Sequence, residues 1–202
     1  MKETESRKNS YLWNDFLEGD DKSFALLYTL YINRLLSYGY KICPVRDLVH
    51  DAVQEVFLDL FLKREKPHHA IADLKGYLFA SLKHCILKKL GRQNRQDRVR
   101  NEASREETFM VAYDSGDGIE EKEHKLEIRM KLLHAIDQLT PREKEIIYLR
   151  FEEELDYVQI SKILGITVDS CYKEFSRAIK DLRLLVDRET FISFFVFFQK
   201  KS

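Results

Sequence analysis

The chain has 202 residues, enough for one large domain or two small ones, with 34% charged and 44% apolar residues. Seven glycines and three prolines are too few for a long all-β or loop-rich fold, so the composition points to helices. Three widely spaced cysteines, Cys43, Cys85 and Cys171, exclude a disulfide scaffold and fit a reducing compartment.

The zero net charge conceals segregation. Between Lys83 and Arg100 there are seven Lys or Arg and one acid, Asp97. Between Asn101 and Lys125 eight acids stand against three bases. A basic block beside an acidic one suggests a polyanion-binding surface next to a solvated linker. The opening "MKETESRKNS" has no apolar core of the signal-peptide kind. "FISFFVFF" (Phe191 to Phe198) is far short of the ~20 residues a helix needs to span a bilayer. The expectation is a cytoplasmic protein without membrane insertion.

In chain order, Leu12, Phe16, Phe24, Leu27, Leu30, Tyr31 and Leu35 recur at helical spacing, interrupted by "EGDDKS", where Asp20 or Asp21 can cap a second helix. Pro44 breaks that pattern. In "VRDLVHDAVQEVFLDLFLKRE", Val49, Val53, Val56 and Leu60 form a stripe that Phe57 and Phe61 widen. Asp51, Gln54, Glu55 and Asp59 fall away from it. After a loop around Pro67, Asp73 can cap "LKGYLFASLKHCILKKLGRQNR", whose C-terminal half carries Lys83, Lys88, Lys89, Arg92 and Arg95. Such cations neutralise phosphates, and exposed aromatics such as Tyr77 or Phe79 can stack on unpaired bases; helical aromatics also commonly serve as core.

A second helical unit begins near His124, with Leu126, Met130, Leu133 and Ile136 expected inward. Thr140, Pro141 and Glu143 spell a capping box, and Asp156 with Gln159 repeats it. Gly165 ends that helix where a left-handed residue is needed, and Thr167 caps the next. The expected inner positions of the last helix are Val168, Cys171, Phe175, Ala178, Leu182 and Leu185. Two short helices around one glycine make a helix-turn-helix outline, although a plain corner between packed helices has the same shape. The outer face of the second helix centres on Asp169, Lys173 and Lys180, with Ser170, Ser176 and Arg177 beside it. Asp169 repels phosphate unless it accepts from a cytosine amine. Glu174 lies nearer the core, where Arg177 or Arg150 can neutralise it.

These blocks together resemble sigma factors of the extracytoplasmic-function type, in the sigma-70 superfamily. "DAVQEVFLDLF" after "FLEGDDKSFALLYTLY" looks like their second conserved domain, and "DLKGYLFASLKH" like its promoter-melting helix. The stretch from "LTPREKEIIYLRF" to "SRAIKDLR" resembles their fourth domain. The resemblance implies an all-α protein of two small helical domains joined by an acidic flexible linker, the C-terminal domain containing a helix-turn-helix. The divisions are 1–100, linker 101–123, 124–187, and an aromatic tail 188–202.

It further implies that Asp51, Gln54, Glu55 and Leu58 dock on core RNA polymerase. His68 and His69 would receive a flipped base of the −10 element. Tyr77, Lys83, Lys88, Lys89 and Arg92 would hold the separated strand. Ser170, Lys173, Ser176 and Arg177 would read the −35 element as duplex. The implied partners are core polymerase and promoter DNA, with an anti-sigma factor as a further candidate; no cofactor, metal or catalytic residue is implied. Phe61 stands where the family often has tryptophan, and His84 where asparagine is common. Two other readings fit the residues: a helix-turn-helix regulator that binds duplex alone, and a polymerase adaptor that has lost promoter reading. The tail is expected to fold onto its own domain; a regulator contact is the sharper alternative.

Overall fold

The interruption at "EGDD" is a helix stop followed at once by a helix start. Residues 11–18 form α1, and Gly19 leaves it with φ +118°. Asp20 then accepts from the backbone N–H groups of Lys22 and Ser23 at 3.2 Å each, opening α2 (Asp21–Ile42). The computed structural model describes residues 11–65, 71, 73–97, 109–110 and 123–200, and all regular structure among them is helical. The chain divides into two units, Met1–Thr108 and Phe109–Ser202.

In the first unit, Leu27, Tyr31, Leu35, Tyr38 and Ile42 of α2 are buried at spacings of four, four, three and four, one face of a helix. That face meets α3 (Arg46–Leu62) and α4 (Leu74–Asp97). Gly39 sets how closely they approach: a Cβ there would stand 2.5 Å from Val49 Cγ1. Seven residues of α3 are buried, Leu48, Val49, Ala52, Val53, Val56, Phe57 and Leu60, and Phe61 lies half out at the edge. Phe61 completes an aromatic corner with Phe16 and Phe24, at ring centroid distances of 5.7 and 5.1 Å. From α4 come Leu78, Phe79, Leu82 and Ile86, all fully buried. Phe79 is therefore core, against Tyr38 at 5.1 Å, and not a stacking platform. Asp73 Oδ1 accepts from Gly76 N–H at 3.1 Å, the expected cap of α4.

The second unit contains α5 (Glu123–Asp137), α6 (Pro141–Ile147), α7 (Tyr157–Leu164), α8 (Val168–Leu185) and α9 (Arg188–Lys200). Both capping boxes form, at Thr140/Glu143 and Asp156/Gln159. Between α6 and α7 the chain makes a wide π-turn, Tyr148–Glu152. The buried Tyr148 hydroxyl donates to Glu153 Oε1 at 3.0 Å, and Arg150 Nη1 donates to Leu155 O at 2.9 Å, fastening the turn.

Leu132, Ala135, Ile136, Leu139, Ile147, Ala178, Leu182 and Phe194 form the core of this unit. Two expectations shift. Met130 is 60% exposed and Leu132 is buried, because the inner face of α5 is set by α8 and α9, which the local pattern does not contain. Leu185 is 41% exposed, since α8 ends there and the chain turns at Val186 into α9. The start of the tail folds onto its own unit. Asp187 accepts from Thr190 N–H at 2.8 Å, and Phe194 inserts edge-on against Phe151 at 4.8 Å. Phe109 is buried beside Tyr148, ring centroids 5.8 Å apart.

Candidate nucleic-acid interface

The outward face of α3 presents Asp51, Gln54, Glu55 and Leu58, all exposed. Leu58 is 59% exposed, an apolar residue in an acidic row. Beside it on α4, Lys88 and Arg92 are exposed and Lys89 is half-buried. The two helices are joined across that boundary, with Lys89 Nζ 2.8 Å from Glu55 Oε2. The Lys89 contact holds the Glu55 carboxyl below the usual carboxylate range, and Glu55 in turn raises Lys89. One end of this pair thus belongs to the acidic face expected to dock polymerase, the other to the cationic face expected to take DNA. Cys85 sits under it, and burial, reinforced by the Glu55 charge, pushes its thiol up to about 11.

Lys83 differs from its neighbours. It is only 9% exposed, because it stands four residues after Phe79 and three before Ile86, both fully buried, on the inner side of α4. Tyr77 is half-buried at the first turns of α4. Its hydroxyl donates to Asp59 Oδ2 at 2.9 Å and accepts from Lys63 Nζ, while Lys63 also pairs with Asp59 at 2.8 Å. This closed triangle ties the end of α3 to the start of α4. Arg64 makes a second tie, pairing with Asp21 and lying over the Phe16 ring at 5.2 Å. Asp59, Lys63 and Arg64 carry the geometry here without having been singled out for it; only the four-residue spacing of Asp59 and Lys63 was visible in the sequence. His68 and His69 lie outside the described residues.

In the second unit, α7 and α8 meet at Gly165, whose φ of 65° and ψ of 36° are left-handed. Gly165 N–H donates to Lys162 O at 3.4 Å and Ile166 N–H to Ser161 O at 3.0 Å, which satisfies the last carbonyls of α7. Thr167 caps α8 by accepting from Ser170 N–H at 3.1 Å, and its hydroxyl donates to Ser170 Oγ at 2.9 Å. Ile160, Ile163, Leu164, Cys171, Ala178 and Leu182 fill the inside of the corner. Tyr157 stacks on Tyr172 at 4.0 Å and receives the Arg150 guanidinium at 5.1 Å, bracing the two helices from the side.

The outer face of α8 is as the 100° spacing predicts: Asp169, Lys173, Ser176, Arg177 and Lys180 are exposed and Ser170 is half-buried. Its charges pair along the helix. Lys173 Nζ lies 2.7 Å from Asp169 Oδ2, and Arg177 Nη1 lies 3.7 Å from Glu174 Oε1. Arg177, not Arg150, is the partner of Glu174. The Lys173–Asp169 pair is solvent-exposed and worth at most about 1 kcal/mol, so a ligand can exchange it cheaply, while Arg177 is exposed and Glu174 half-buried. No helix among the described residues is long and apolar enough to cross a membrane.

Comparison with known proteins follows these two faces. The model of sigma-70 region 2 matches residues 27–96, which span α2 after its first six residues, α3 and nearly all of α4. The model of sigma-70 region 4 matches residues 129–182, containing the helix-turn-helix. No curated protein matches the chain. Among solved structures, the sigma factor RpoE in complex with the anti-sigma factor NepR, from Bartonella quintana, is 19% identical with a TM-score of 0.60. The match covers 83% of this chain and 99% of that one. CnrH in complex with the cytosolic domain of CnrY is 16% identical with a TM-score of 0.52, covering 88% of this chain and 96% of that one. At such identities the two structures speak for the fold, and the two matched regions, together more than half of the sequence, speak for descent: the chain belongs to the sigma-70 family of RNA polymerase sigma factors.

Proposed function

We propose that the chain is an alternative sigma factor of the extracytoplasmic-function type, which binds core RNA polymerase and directs promoter recognition, DNA melting and transcription initiation. The observation that carries this reading is the ordered occurrence of region 2 and region 4 in one chain, each with an exposed face of the required chemistry. In this reading Asp51, Gln54, Glu55 and Leu58 dock on core polymerase, a surface of three polar residues around one exposed leucine. Lys88, Lys89 and Arg92 neutralise phosphates of the separated strand, and His68 and His69 receive the flipped base.

The buried setting of Lys83 and the engaged hydroxyl of Tyr77 favour supporting roles for these two: Lys83 within α4, Tyr77 in fixing where α4 begins. Ser170, Lys173, Ser176 and Arg177 meet the −35 duplex from α8. The division into a −10-binding part (1–100), an acidic linker (101–123), a −35-binding part (124–187) and a tail (188–202) belongs to the same reading. The protein is not itself an enzyme, works in the cytoplasm, and takes as a further partner an anti-sigma factor of the kind bound by RpoE in its structure.

The mechanism is differential binding. Unstacking and flipping a base costs a few kcal/mol, by the general magnitude for such steps, and contacts available only to the opened strand offset it. The test is in vitro transcription with core polymerase from the same cells. Initiation from genomic templates that depends on added chain is the expected result. Core binding with no initiation would instead favour the adaptor reading, to which the internal pairing of Lys173 and Arg177 lends some support. Sequence-specific duplex binding without polymerase would favour the lone regulator.

A further inference from the structure

The outer face of α8 holds one feature that phosphate binding does not explain: a carboxylate in its middle. Asp169 is exposed on the first turn of the helix, where a recognition helix reaches deepest toward base edges. Facing the backbone it would repel phosphate. Glu174 is different, since it lies half-buried on the flank beside Arg177.

Asp169 and Lys173 stand one helical turn apart with Oδ2 and Nζ in contact at 2.7 Å, so acceptor and donor are presented side by side. The contact runs to Oδ2, and a carboxylate carries a second acceptor oxygen, Oδ1. In the major groove a C·G pair offers the complementary doublet: the cytosine N4 amine donates, and guanine O6 and N7 accept. An A·T pair also offers a donor, adenine N6, but sets it between two acceptors, N7 and O4; only a C·G pair places two acceptors together beneath the cation with the donor at their side.

We propose that Asp169 and Lys173 act as one unit that reads a C·G base pair in the upstream duplex element, Asp169 accepting from cytosine N4 and Lys173 donating to guanine O6 or N7. This rests on the duplex-reading role given to α8 above and adds which residues specify and which base pair they choose. Asp169 is then a specificity-determining residue, and the exposed ion pair is the resting state of the reader: binding replaces a weak contact with two contacts to the same base pair. The rival explanation is that an acid in the first turn simply stabilises the helix N-terminus. The two differ in what a substitution does to sequence preference.

The experiment reconstitutes holoenzyme from core polymerase and the full-length chain, selects bound duplexes from a library randomised across the upstream element, and sequences them. Wild type, Asp169→Asn and Asp169→Ala are compared, with far-UV circular dichroism confirming that both variants fold. Wild type should enrich C·G at one position by about tenfold over the other pairs, within the range of discrimination by one side-chain reader. Asp169→Ala should lose that preference at that position alone. Asp169→Asn, able to bond adenine N6 and N7, should move it toward A·T. An unchanged C·G preference in both variants overturns the proposal, as does a uniform gain or loss of affinity at every position. If wild-type holoenzyme enriches no upstream sequence at all, the duplex-reading role of α8 falls together with it.

Discussion

The two units build their exposed faces by opposite means. In the first, the charged residues reach between helices: Glu55 of α3 holds Lys89 of α4, Arg64 holds Asp21 of α2, and Asp59 with Lys63 holds Tyr77. In the second, the face of α8 is wired to itself, Lys173 to Asp169 and Arg177 to Glu174, all within one helix. A partner that takes Glu55 or Lys89 therefore loosens a link between two elements, whereas a partner that takes Lys173 only turns side chains. The first arrangement suits a surface that changes shape as strands separate; the second suits docking onto a duplex that keeps its shape.

The comparison breaks first at the cores beneath the two faces. Phe194→Ala should cost about 3–5 kcal/mol, the range for emptying a buried phenylalanine, because Phe194 is fully enclosed in the second unit. Hydrogen exchange should place the loss in residues of α5, α8 and α9 and leave α2 and α3 protected. Loss spread evenly over both units would contradict the assignment of the tail to the second unit. In the first unit, Gly39→Ala should cost about 1–3 kcal/mol, since its new Cβ meets Val49 at 2.5 Å in a closed interface. An unchanged melting temperature would mean that α2 and α3 part more easily than their packing indicates. Asp156→Ala removes one half of a capping box and should cost about 1 kcal/mol by thermal unfolding, with Asp156→Asn closer to wild type.

Smaller effects sharpen the contrast in wiring. The Cys85 thiol, raised from 9.0 to about 11, stays protonated in the folded chain while an unfolded chain would ionise. Its contribution is therefore intact below pH 9 and is lost as pH rises toward 11. Cys85→Ser should flatten part of the fall in stability over that interval. In the native chain Cys85 should alkylate far more slowly at pH 8 than an unfolded control. A double-mutant cycle on Glu55→Gln and Lys89→Gln should return a coupling of about 1 kcal/mol or less, as for pairs at the surface with one partner exposed. A zero coupling would leave the link between α3 and α4 to apolar packing alone.

What the sequence disclosed was what local chemistry decides. Asp73, Thr140, Asp156 and Thr167 all cap helices where their spacing said they would, Asp20 is the cap of the two candidates at α2, and Gly165 takes the left-handed turn. A cap is settled by four consecutive residues, so it can be read without the fold. The outer face of α8 was legible for the same reason, since a strongly one-sided helix declares its own orientation. What stayed hidden needed a second element. Met130 and Leu132 exchange places because α8 and α9 choose the inner face of α5. Lys83 reads as a surface cation until α4 is set against its neighbours. The π-turn at Tyr148–Glu152 and the pair between Glu55 and Lys89 have no short-range signature. The candidate interface was thus legible as a set of residue types, but not as a network.

Chemical probing of one promoter fragment bound by holoenzyme reads both faces at once, since permanganate reports unpaired thymines and a cleavage footprint reports duplex protection upstream. If the two units divide the work, Lys88→Ala combined with Arg92→Ala should lower thymine reactivity while upstream protection persists. Lys173→Glu should instead remove upstream protection. Equal loss of both signals in both variants, with core polymerase still bound, would contradict the account.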